Sequence, residues 1–205
     1  MLAIDALSPE KRAQILEGAA QIFAEDGYEG ASMSRIAAIA NVSKGTLYNH
    51  FESKAQLFSA YIEAACARNL CQVFAASDES LDVAAALARI GRRMVEMMLS
   101  DLGLTIYRVV VAEARKFPEL ARAFYNAGPA RAIDEMARWL AARAEEGTLA
   151  VADPSFAAEQ FFCLCQTRLW LRYKLNLQDA SAETSIDEVV SASVSMFLNT
   201  YGVTS

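Results

Sequence analysis

Apolar residues recur along this chain at three- and four-residue spacing, the period of an α-helix. Ser8 can cap a helix whose first position is Pro9, and Ile15, Ala19, Ile22 and Phe23 follow on one face until Gly27 ends the segment. Ser32 opens a short second helix with Ile36 and Ile39 facing inward, and Ser43 opens a third. Ser53 opens a fourth, with Gln56 three residues on to complete a capping box and Leu57, Tyr61 and Ala65 as its apolar stripe. A longer helix is expected over about 81–99, with Leu87, Ile90, Met94 and Met97 on one face. Gly103 separates it from the next, Pro118 and Pro129 each start a new stretch, and Gly147 ends the second of these. Asp153-Pro154 leads into a helix, apolar nearly all round, to about Leu175, and the last helix spans about Ser185 to Tyr201. No strand pattern competes, so the expected class is all-α.

Composition agrees. Hydrophobic residues make up 54 % of 205, while glycine (9) and proline (4) are scarce, which disfavours a turn-rich β-fold. The N-terminus "MLAIDALSPEKR" lacks the basic and apolar regions of a signal peptide, and no apolar run approaches the ~18 residues that span a bilayer. A cytoplasmic location is expected. Cys66, Cys71, Cys163 and Cys165 form no C-x-x-C pair, and Cys163 and Cys165 point to opposite sides of a helix. They read as small apolar residues in a reducing compartment. With a single histidine, neither a metal site nor a cofactor is indicated.

Two helices too short to stand alone flank Asn41-Val42, and packed on the first helix they form a helix-turn-helix. The second short helix offers Lys44, Gly45, Thr46, Tyr48 and Asn49 outward, while Leu47 and Phe51 point to the core. Glycine costs a helix ~1 kcal/mol, but lets backbone come close to a phosphate or a base edge. Tyr48 and His50 can donate to phosphate oxygens, Lys44 can reach guanine, and Thr46 can meet a thymine methyl. Ser32 and Lys54 lie at helix N-termini, where free N–H groups favour anions.

The string Ser-Lys-Gly-Thr-Leu-Tyr-x-His-Phe-x-x-Lys, within "ASMSRIAAIANVSKGTLYNHFESKAQLF", resembles the helix-turn-helix of TetR/AcrR-type transcriptional regulators, and "ILEGAAQIFAEDGYEGAS" resembles their first helix. Together these cover about the first quarter of the chain. "RVVVAEARKFPELARAFYNAGPAR" resembles the C-terminal domain of the AefR-like subgroup. The resemblance implies a DNA-binding domain over 1–53, with its motif at about 33–52, and an effector-binding and dimerisation domain over 54–205. It implies a ligand-responsive regulator, most simply a repressor, that binds a palindromic double-stranded operator as a homodimer joined through the last two helices. Its DNA contacts carry over to Ser32, Ser43, Lys44, Gly45, Thr46, Tyr48, Asn49, His50 and Lys54. Arg35, on the exposed side of the first short helix, is a further candidate. Asn49 departs from the aromatic often found there.

Net charge is −6, unusual for a nucleic-acid binder, but between Ser32 and Gln56 three basic residues face one acidic one. In "LTIYRVVVAEARKF", Glu113 shares an apolar arc with Ile106, Val110 and Phe117. A carboxylate there needs an internal salt bridge, a ligand or an open cavity. The expected site for a small hydrophobic effector comprises Met94, Met97, Ile106, Val110, Glu113, Phe124, Trp139 and Phe162. An enzyme is disfavoured, because the only histidine lies in the DNA-facing string. A helical small-molecule-binding protein without DNA binding is the remaining alternative.

Overall fold

A computed structural model describes residues 8–74, 82–177 and 185–203. Eleven α-helices follow in order among them: α1 (Pro9–Gly30), α2 (Met33–Ile39), α3 (Lys44–His50), α4 (Lys54–Phe74), α5 (Val83–Leu99), α6 (Asp101–Glu113), α7 (Pro118–Tyr125), α8 (Arg131–Glu145), α9 (Pro154–Cys165), α10 (Trp170–Lys174) and α11 (Ile186–Tyr201). Extended pairing is confined, among these residues, to one isolated bridge between Leu149 and Gly202. No described helix is long and apolar enough to cross a membrane.

Capping side chains set most of the starts. Ser8, Ser32, Ser43, Asp82, Asp153 and Ser185 each accept a backbone N–H from the first turn of their helix. Residue 81 lies outside the described residues, and α5 begins after Asp82. At α4 the reciprocal bond is displaced by one residue: Gln56 N donates to Ser53 Oγ, but Gln56 Oε1 accepts from Glu52 N. Gly27 adopts φ 68°, a left-handed conformation that interrupts α1 before a last turn through Gly30.

Three expected boundaries and one expected facing differ. Ser100, not Gly103, breaks α5 from α6: it has ψ 153°, and its hydroxyl accepts from Gly103 N. Pro129 does not start a helix but sits in a π-turn, Asn126–Ala130, joining α7 to α8. The helix expected to reach Leu175 ends at Cys165, because Arg168 takes φ 64° before α10 begins. Ile39 is 41 % exposed; Ala37 and Ala40 fill the inner side of α2 instead.

The chain divides into two compact units, residues 1–65 with 105–125, and residues 66–104 with 126–205. The divisions fall inside α4, inside α6 and at the end of α7.

The first unit buries Ile15, Ile22, Phe23, Ile36, Leu47, Leu57, Phe58 and Ile62. Phe23 meets Phe58 edge-on at 4.7 Å, and Tyr28 meets Phe58 at 5.1 Å and Phe117 at 5.7 Å. Edge-on pairs of this kind add about 0.5–1.5 kcal/mol each beyond area burial. Residues 105–125 thus pack with the helix-turn-helix, tied also by Lys116 Nζ to Glu29 Oε1 at 2.8 Å. A Cβ on Gly18 would lie 3.1 Å from both Cβ and N of Ala40, so α1 and α2 approach at backbone distance.

In the second unit α5, α8, α9 and α11 enclose a core of Leu87, Ile90, Met94, Met136, Leu140, Phe161, Phe162, Cys165, Val190 and Phe197. A Cβ on Gly91 would meet Cys165 Sγ, Phe161 and Val190 at 3.1–3.2 Å, so the lack of one lets three helices close together. Of the two cysteines two apart on α9, Cys165 is buried and Cys163 exposed, as the helical angle requires; Cys71 is exposed as well. Cys71 and Cys163 are therefore not core residues.

Candidate nucleic-acid interface

The turn between α2 and α3 is made by Asn41, whose φ of 46° lies in the left-handed region. Asparagine tolerates that region better than other non-glycine residues. Val42 N then bonds Ala37 O at 3.0 Å and closes the turn. Leu47, fully buried, anchors α3, and Phe51 packs behind it. With those two residues inward, the opposite side of α3 is bared: Ser43, Lys44, Gly45, Tyr48 and Asn49 are exposed, with Thr46 and His50 half-buried. Tyr48 is 46 % exposed, unusual for an aromatic ring with no contact to bury.

Ser43 Oγ accepts from Thr46 N at 2.9 Å and lies 2.7 Å from Thr46 Oγ1. Ser32 Oγ likewise accepts from Arg35 N at 3.2 Å, which leaves its own proton free to donate. Gly45 has ordinary helical φ, and a Cβ there would meet only Ser43 Oγ at 3.7 Å, normal contact. Among the described residues, nothing therefore requires a glycine at this exposed site.

Two expected contacts are engaged within the protein. Lys54 Nζ donates to the carbonyls of Tyr28, Glu29 and Ala31 at 2.6, 3.0 and 3.1 Å and sits 4.7 Å from the centre of the Tyr28 ring. All three ammonium protons are thereby used, and only the backbone N–H of Lys54, at the start of α4, stays available to an anion. Its side chain locks the end of α1. Arg35 pairs with Asp26 and, at 3.5 Å, with Glu25.

His50 lines a groove of about 390 Å³ with Arg12, Phe51, Gln56, Ser59, Ala60 and Glu63. Arg12 is an exposed cation of α1 that the sequence reading missed. Its only sequence signal was a basic side chain in the first turn of the helix preceding the motif. The other omission is Asn41, legible as an asparagine between two short helices.

The eight expected effector residues are divided. Ile106, Val110, Glu113 and Phe124 belong to the first unit, Met94, Met97, Trp139 and Phe162 to the second. Met94 and Phe162 are core, with Met97 and Trp139 packed against it. Met97 also borders a groove of about 720 Å³. Glu113 is 6 % exposed, and its Oε2 has no hydrogen-bond partner. Among the described residues Glu113 makes no salt bridge, so of the three readings of its apolar arc the internal salt bridge is not the one seen; the nearby Lys116 pairs with Glu29. Burial, then the nearby Glu113 and Glu119 carboxylates, raise the Tyr28 phenol to about 12.

A three-helix motif that exposes a glycine, a lysine and hydroxyl donors on its second short helix defines a helix-turn-helix DNA-binding protein. Family comparison makes this specific: residues 15–61 match the bacterial regulatory proteins of the TetR family, and residues 85–203 match the C-terminal domain of AefR-like transcriptional repressors. The chain belongs to the TetR family, a family of DNA-binding transcriptional regulators, with an AefR-like C-terminal domain.

Among solved structures, a TetR-family regulator from Mesorhizobium loti superposes with a TM-score of 0.84 at 28 % identity, over 97 % of this chain and all of that one. The flavonoid-responsive regulator FrrA superposes at 0.81 with 31 % identity over the same shares. The repressor AcnR of Corynebacterium glutamicum is 44 % identical over 57 residues, 28 % of this chain and 30 % of that protein. The activator FasR of Mycolicibacterium smegmatis is 44 % identical over 54 residues, 26 % of this chain and 25 % of that protein. These sequence matches span under a third of either relative.

Proposed function

We propose that this chain is a repressor that binds a palindromic operator as a homodimer and leaves it when a small, largely apolar effector binds. The observation that carries the DNA reading is Gly45: an exposed helical glycine that the protein's own packing does not need. Lys44, Thr46 and Asn49 would face base edges, while Ser32, Ser43, Tyr48, His50 and the Lys54 backbone N–H would hold phosphates. Arg35 would join them by sharing its guanidinium between Asp26 and the duplex. Recognition helices of the two subunits would sit about 34 Å apart, one turn of DNA. Residues 1–53 would carry DNA binding, and residues 54–205 effector binding and dimerisation.

The AefR-like repressor domain supports repression over activation. AcnR, a repressor, and FasR, an activator, each match over under a third of their length, so those two matches do not favour either mode. The full-length likeness to FrrA supports an aromatic effector. Dimerisation through α9 and α11 is supported by what they leave uncovered: Phe156 (55 % exposed), Gln160 and Cys163 recur at i, i+4 and i+7 on α9, and Met196 (58 %) stands out on α11.

Titration onto DNA flanking the protein's own gene tests the reading, with Lys44→Ala and Tyr48→Phe as controls. Binding that both substitutions weaken is expected. Affinity no different from random duplex, or unmoved by either change, refutes it. Light scattering at micromolar concentration gives the dimer mass; a monomer would end that part.

A further inference from the structure

The groove beside Met97 lies wholly within the second unit, between the C-terminal half of α4 (Asn69, Gln72, Val73), one side of α5 (Arg93, Glu96, Met97) and the α5–α6 corner (Ser100, Leu102). Its volume of about 720 Å³ falls in the range of small-molecule sites, about 300–1,000 Å³. Buried Val73 forms its floor, and half-buried Met97 and partly exposed Leu102 line one end. A methionine thioether adapts to the ligand's outline and makes favourable contacts with aromatic rings.

Arg93 is half-buried and, among the described residues, is held by one bond, Nη1 to Gln72 O at 2.6 Å. Among the described residues no carboxylate pairs with it, whereas neighbouring Arg92 pairs with Asp187. Among the described residues its remaining N–H donors are unclaimed, and they can donate to an oxygen acceptor in the groove. Glu96, exposed on the next turn, can accept from a hydroxyl. From Arg93 to Ser100 the helix rises about 10 Å, the length of two fused rings with a substituent.

We propose that this groove is the effector site, and that it takes a hydroxylated aromatic compound with a carbonyl or anionic oxygen. That oxygen docks on Arg93, a ring hydroxyl on Glu96, and the ring face on Met97, Val73 and Leu102. The assignment rests on the chain being effector-responsive, and it differs from the eight-residue site expected from sequence, sharing only Met97 with it.

The probe is the flavonoid quercetin. Calorimetry on the full chain reports affinity, and ¹³C-methyl labelling of the seven methionines reports place. Met97 is assigned through Met97→Leu. One quercetin per chain is expected, with the Met97 methyl displaced by the aromatic ring current and Met33, in the other unit, unmoved. Arg93→Met should weaken binding by about tenfold or more, the loss of one charged hydrogen bond. Leu102→Trp, which fills the groove from an exposed position, should block it. Absence of binding to the wild-type chain overturns the proposal, as does an unmoved Met97 methyl or undiminished affinity in both variants. If quercetin still releases operator DNA while Met97 stays silent, the repressor reading stands and the groove is wrong. If the groove binds quercetin and no duplex is bound with or without it, the groove stands and the repressor reading fails.

Discussion

Replacing Gly45 with alanine should move stability and DNA affinity in opposite directions. In the middle of an exposed helix, glycine costs about 1 kcal/mol relative to alanine. Gly45 is the second residue of a seven-residue helix, so about 0.5–1 kcal/mol is expected here. Nothing among the described residues offsets that gain, since there the added methyl meets only Ser43 Oγ at 3.7 Å. For a chain of this size, 1 kcal/mol raises the melting midpoint by about 2–4 °C. In the proposed complex the same methyl would stand between the α3 backbone and the duplex. Pushing the helix outward lengthens the hydrogen bonds of Lys44, Thr46 and Tyr48 together, and losing one charged bond already costs about 1.5–3 kcal/mol. Affinity should therefore fall by about tenfold or more. Urea titration followed by circular dichroism reads the first quantity, and fluorescence anisotropy on operator DNA the second. No charge changes, so the slope of log K against log salt should be unaltered. A Gly45→Ala protein that is less stable than the parent, or that binds operator equally well, refutes the argument.

Lys44→Ala, which removes a base contact, should weaken operator binding by about 1–3 kcal/mol and leave random duplex nearly unchanged; an equal loss on both, with the salt slope lowered by about 1 per subunit, would refute the base contact. Operator binding should show a modest salt slope overall, because Lys54 and Arg35 are engaged within the protein; a slope near −10 contradicts this. Tyr28, raised to about 12, gives stability that is complete below pH 10 and lost as pH climbs towards 12. Two pH units correspond to about 2–3 kcal/mol, and Tyr28→Phe should flatten this alkaline limb of the urea midpoint. Thiol reagents at pH 8 should label exposed Cys71 and spare Cys66 and Cys165, whose thiols burial raises to about 11 and 12; labelling of Cys165 in the native protein runs against its burial.

Sequence was most informative where a side chain acts on its own backbone. Ser8, Ser32, Ser43 and Asp153 were readable as caps because a hydroxyl or carboxylate before an apolar period has one dominant local use. The outward face of α3 followed from its inward one, since burying Leu47 settles where Tyr48 points. What failed depends on neighbours distant in sequence. Nothing local distinguishes a lysine that meets phosphate from Lys54, whose three acceptors lie at least 23 residues away. Arg35 is the same case, with partners nine and ten residues earlier. The break at Arg168 has no proline or glycine to announce it. Glu113 was marked as an anomaly on an apolar arc, but the sequence named no partner for it, and the nearby Lys116 pairs with Glu29.

The near-touch of Gly18 and Ala40 limits how this protein can change over generations. Any bulkier group at either place would wedge α1 from α2 and tip the reading helix, so drift in operator preference is channelled to the outer residues of α3. Descendants can rewrite the letters that they read while inheriting, unaltered, the frame that holds the page.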